Sequence, residues 1–99
     1  MSNSENPKIL ILEDNIIVGE NISKALRNDG YEVFLLKNGT DGLKQIHDIM
    51  PSLVLLEINI SGMDGYEILN KKQNDPVISG ITVFLLSTQG VPVNMKNIP

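Results

Sequence analysis

Apolar residues in this chain fall in short unbroken runs separated by stretches of mixed, helically spaced character. Residues 8–12 (KILIL), 31–36 (YEVFLL), 53–57 (LVLLE) and 81–86 (ITVFLL) are the runs. The unbroken run at 8–12 predicts a strand covered on both faces and 53–57 a third buried strand, with 31–36 and 81–86 as the second and fourth strands. Between them the period changes. Residues 15–28 carry Val18, Ile22, Ala25 and Leu26 at helical spacing, with Asp14 or Asn15 placed to cap the start and Gly30 just past the end. Residues 39–50 put Leu43, Ile46 and Met50 on one face before Pro51 closes the segment. Asp64 followed by Glu67 has the spacing of a capping box, which predicts a helix from Gly65 to about Lys72.

Strands that alternate with helices predict a doubly wound α/β domain, a parallel sheet with helices on both faces. Right-handed crossovers then fix most of its topology. After Ser87 the pattern stops: Gly90, Pro92 and Pro99 interrupt a stretch too short for another crossover of roughly a dozen residues plus a strand. The expectation is a four-stranded sheet lacking a fifth β/α unit. Residues 1–7 would be a flexible N-terminus, 8–88 the domain and 89–99 an irregular tail.

Composition narrows the function classes. The 99 residues suit one domain, and a 41% hydrophobic content is globular rather than disordered. The net charge is −4 and no Lys/Arg patch is present, which argues against direct binding of nucleic acid. The absence of cysteine excludes disulfides and thiolate metal sites. No apolar run approaches the roughly 18 residues of a membrane span and no leader is evident, so no membrane association is expected and the expected location is cytoplasmic. His47, the sole histidine, reads as a partly exposed structural residue, and Lys71 and Lys72 as partners of a helix dipole.

In an open α/β sheet, ligands bind beyond the carboxyl ends of the strands. Glu13 and Asp14 follow the first run and Glu57 ends the third. If those strands are neighbours the carboxylates converge, and Mg²⁺, which takes oxygen ligands and needs only one or two carboxylates, would relieve their repulsion. The alternative is solvated strand-end acids, with Asp14 merely capping the first helix. Ser87 and Thr88 follow the fourth run, where a hydroxyl either donates into the same crevice or is an ordinary strand-end group. Asn59, Gly62 and Gly65 lie in the loop after Glu57, where glycine permits close backbone approach.

The segments KILILEDN, NGTDGL, PSLVLLEINISGMDGYEIL and NDPVISGITVFLLST follow one another as in the receiver domains of two-component response regulators, which this chain resembles from about Lys8 to Thr88. The resemblance implies the flavodoxin-like strand order 2-1-3-4 and a role in phosphorelay signalling through a histidine kinase or other signalling protein, rather than turnover as an enzyme. It further implies a Mg²⁺ site at Glu13, Asp14, Glu57 and the backbone carbonyl of Asn59, with Ser87 as the switch hydroxyl and Thr88 beside it.

Three features depart from the family pattern. Glu57 stands where receivers carry the phosphate-accepting Asp, and its extra methylene displaces the carboxylate from the place in-line transfer needs. The lysine of the fifth strand has no clear counterpart; Lys96, in VNMKNIP, is a remote candidate and otherwise a solvated tail residue. Ser61 and Thr82 occupy positions that are usually Pro, and Thr88 one that is usually Ala. Together these imply a receiver that has lost regulated phosphorylation, uses Mg²⁺ weakly or not at all, and acts through protein contacts. Its fourth strand would be an apolar edge prone to self-association, unless the tail buries it. Two alternatives stay open: a Mg²⁺-dependent phosphotransfer or phosphatase enzyme using the acidic pocket, and a shortened form of an ordinary, longer receiver.

Overall fold

The computed structural model describes residues 6–87. Its elements run β1 (Lys8–Leu12), α1 (Ile16–Asn28), β2 (Glu32–Leu36), α2 (Gly42–Ile49), β3 (Leu53–Glu57), α3 (Gly65–Gln73) and β4 (Thr82–Leu86). The four strands form one parallel sheet in the order β2-β1-β3-β4. The expected fold class and strand order therefore hold. The expectation that a fifth unit is missing, the tail at 89–99, Thr88 and Lys96 all fall outside the described residues, as does most of the N-terminal stretch.

Local signals set several of the helix ends. Asn15 caps α1, its side-chain oxygen accepting from the Val18 N–H at 3.1 Å. Past the helix end, Gly30 takes φ +96°, where a side chain would be strained. Asp64 caps α3 by accepting from the Tyr66 N–H at 2.7 Å. At the end of α2, Met50 adopts a left-handed conformation (φ 50°) and is exposed. The expected apolar face of α2 is thereby corrected, because Ile49 rather than Met50 joins Leu43 and Ile46 against the core. Likewise the stripe of α1 that is fully buried contains Gly19 and Ser23, while Ala25 is exposed.

Two apolar layers flank the sheet. Leu10, Leu12, Val54 and Leu56 point to one side and pack with Ile46 of α2, Ile68 and Leu69 of α3, and Ile60 and Ile78. Ile9, Ile11, Val33 and Leu55 point to the other, where Ile22 and Leu26 of α1 cover them. Coverage is unequal. Val83 and Leu85 of β4 reach the first layer, but Phe84, on the α1 side, is 58% exposed. α1 lies over β1 and β2 and leaves Phe84 uncovered.

Candidate functional site

β1 and β3 are paired neighbours, Leu12 opposite Leu56, so the residues following each strand emerge side by side at one end of the sheet. Glu13 continues from β1, its N–H donating to the Leu36 carbonyl at 3.0 Å. Glu57 closes β3 opposite Leu86 of β4. Both side chains are completely buried, at 0% exposure, and Asp14 is half-buried. Ser87, the first residue past β4, is half-buried and engaged rather than free. The Leu86 carbonyl just before it accepts from the Ile58 N–H at 3.0 Å, which holds the two loops together.

The carboxylates make a common kind of bond. Glu13 Oε2 accepts from the Asn15 N–H at 2.9 Å, and Glu57 Oε2 accepts from the Asn59 N–H at 3.0 Å. Each glutamate folds back onto the amide two residues on, a local turn that its length permits. Asp14 reaches farther, its Oδ2 accepting at 3.1 Å from the N–H of Ser61 in the β3–α3 loop.

Ser61 is held from the other side too, its carbonyl accepting from the Gly39 N–H at 2.7 Å. Gly39 is where only glycine fits, because a Cβ there would lie 2.3 Å from the Met63 carbonyl oxygen. The β1–α1 and β2–α2 loops thus grip the β3–α3 loop through one peptide unit on either side of Ser61. Sequence reasoning placed Ser61 only as an unusual residue and missed Gly39. The dipeptide Asn38-Gly39 between two elements is an ordinary turn signal and says nothing of a loop 22 positions later.

Mg²⁺ is the cation this crevice would take, and the oxygen chemistry of its acids suits it. Among the described residues, no group of three or more His, Cys, Asp or Glu side chains is placed to hold a metal ion. Glu13, Asp14 and Glu57 each accept from a different backbone amide. The buried side-chain Nδ2 of Asn59, with no hydrogen-bond partner among the described residues, is a donor and adds nothing to a cation site.

Two further contacts lie away from the crevice. His47 Nε2 and Asp75 Oδ2 are 2.7 Å apart, joining α2 to the segment after α3. The Asp75 carboxyl is held below its ordinary 3.8 by the Val77 N–H and then by His47. Lys72, read from sequence as a partner of the helix dipole, is only 3% exposed. Its Nζ donates to the Ser79 carbonyl at 2.7 Å and Gln73 Oε1 at 3.0 Å, and burial lowers its pKa.

A parallel sheet in this order, with acids at the ends of β1 and β3 and a hydroxyl after β4, defines a doubly wound, flavodoxin-like module. The chain belongs to the response regulator receiver domain family, whose profile matches residues 9–98 and so reaches past Thr88, where the motifs end. It is 34% identical over 85 residues to sporulation initiation phosphotransferase F of Bacillus subtilis, covering 86% of this chain and 67% of that one. It is 30% identical over 82 residues to the transcriptional regulatory protein CrdR of Helicobacter pylori, covering 83% of this chain but 38% of CrdR.

Among solved structures, the N-terminal domain of a response regulator receiver protein from Methanoculleus marisnigri superposes with TM-score 0.80 at 27% identity, covering 92% of this chain and 72% of that one. The chemotaxis response regulator CheY4 of Vibrio cholerae, at TM-score 0.82 and 21% identity, shares the fold; the match covers 93% of this chain and 77% of CheY4. Among the described residues, no helix is long and apolar enough to cross a membrane.

Proposed function

We propose that this chain is a two-component receiver whose output does not depend on phosphoryl transfer, and that it acts through contacts with a histidine kinase or other signalling protein. The observation that carries the reading is the state of Glu57. It occupies the place of the phosphate acceptor, yet its carboxylate is fully buried and accepts the Asn59 N–H. A nucleophile must present an oxygen to the donor in line, and a misplacement of about 1 Å can cost roughly a hundredfold in rate. A buried carboxylate folded back on its own loop meets neither requirement.

The same reading gives β4 the contact role. Phe84 exposes an apolar ring on a strand that, among the described residues, pairs with β3 alone. Such an edge favours self-association through residues 81–86.

The test of the central reading is incubation with acetyl phosphate and Mg²⁺, followed by intact-mass measurement. The unaltered chain should gain no phosphoryl group. A phosphoryl adduct that disappears in Glu57→Gln would overturn the proposal. Uptake by Glu57→Asp alone would show that the surrounding crevice is still competent and that the methylene is the block.

A further inference from the structure

We propose that Asn38 is a deamidation site whose reaction is gated by the contact between the β2–α2 and β3–α3 loops. Asn38-Gly39 is the one Asn-Gly pair in the sequence. Glycine after asparagine leaves the next amide nitrogen unshielded, on a backbone that turns freely. That nitrogen attacks the side-chain carbonyl carbon of Asn38. An N–C bond forms, the amide proton passes to solvent base and the side-chain nitrogen departs as ammonia. Water then opens the cyclic imide at either carbonyl, leaving aspartate or isoaspartate with a new negative charge.

The structure leaves the electrophile open and withholds the nucleophile. Asn38 is exposed, and its Oδ1 accepts from the Thr40 N–H at 3.0 Å, a bond that draws electrons from the carbon under attack. Gly39 is buried, and its N–H donates to the Ser61 carbonyl at 2.7 Å. A donor held on an acceptor gives up its proton less readily. The loops meet closely from both sides. A Cβ on Gly39 would lie 2.3 Å from the Met63 carbonyl oxygen, and one on Gly62 would lie 2.5 Å from Thr40 Oγ1. Asn38 therefore reacts only when the loops part, a local opening short of global unfolding. Isoaspartate adds a methylene to the main chain, so Gly39 no longer meets Ser61 and the opening becomes permanent. The site uses none of the crevice acids, and it stands whether or not Glu57 takes a phosphoryl group.

The test is incubation of the whole chain in mildly alkaline buffer, folded and in guanidinium, with peptide mapping by mass and an isoaspartate assay. The unfolded chain should convert Asn38 ahead of every other asparagine. The folded chain should convert it at least about tenfold more slowly, which corresponds to an opening of roughly 1.4 kcal/mol. Gly62→Ala, whose new methyl group pushes on Thr40, should convert faster than the unaltered folded chain.

Equal rates in the folded and unfolded chains, an unfolded chain that spares Asn38, or a folded Gly62→Ala that matches the unaltered chain would each overturn the proposal. Should Gly62→Ala not fold, amide hydrogen exchange of the unaltered chain decides. The Gly39 N–H should be protected by the same factor that slows Asn38. A Gly39 amide that exchanges freely while Asn38 stays intact sinks the gate.

Discussion

Asp75 shows how a single side chain ties this molecule's stability to pH. Its carboxyl accepts the Val77 N–H at 2.9 Å and lies 2.7 Å from His47, and both lower its pKa from 3.8. In this range the unfolded chain binds more protons than the folded one, so stability rises with pH. The contribution is fully present above the ordinary carboxylate range and is lost as pH falls through the lowered folded value. Asp75→Asn keeps an oxygen for Val77 but removes the charge. Denaturant midpoints should therefore show the variant less stable near neutrality, with the difference shrinking below about pH 4. A gap that stays constant with pH would assign the effect to packing instead. Neither partner of His47 nor the burial of Lys72 could be read from sequence, because both depend on where the segment after α3 returns to the sheet.

At the scale of elements, the local signals were largely sufficient. Strand runs, helical spacing and the caps Asn15 and Asp64 located all seven elements within a few residues, since each depends on neighbours along the chain. What failed was the precise helix face, at Met50 and Ala25, where end conformation and helix rotation are set by the sheet beneath.

The approach of α3 to β3 gives a sharp test. A Cβ on Gly65 would lie 2.6 Å from the Ile58 carbonyl oxygen and 2.8 Å from its Cα, so backbone would have to move. Overpacking against backbone costs about 1–3 kcal/mol. That outweighs the gain in helix propensity, at most about 1 kcal/mol. Gly65→Ala should therefore lower the midpoint of thermal unfolding. Gly80→Ala, which meets nothing within 4 Å, should stay within about 0.5 kcal/mol of the unaltered chain. Equal effects at both sites would mean that the close contact is not what constrains position 65.

For the molecule as a whole, the unequal cover of the sheet decides behaviour. Phe84→Lys places a charge on the uncovered side of β4 without disturbing Val83 and Leu85, which face the core. If β4 mediates self-association, sedimentation velocity should show the unaltered chain forming dimers at high concentration and Phe84→Lys remaining monomeric. A chain that is monomeric before the substitution removes β4 as the association surface. The sequence by itself determined the element order, the parallel doubly wound class, the family and the strand ends at which Glu13, Asp14, Glu57 and Ser87 stand, because period, caps and run length act over a few residues. Only the tertiary structure decided that the three acids turn onto separate amides, that Ser61 is gripped from two sides, that Lys72 is buried and that Phe84 is bare. Those outcomes depend on loops and layers brought together from distant parts of the chain, and side-chain pattern along a strand or helix carries no record of what will arrive from elsewhere.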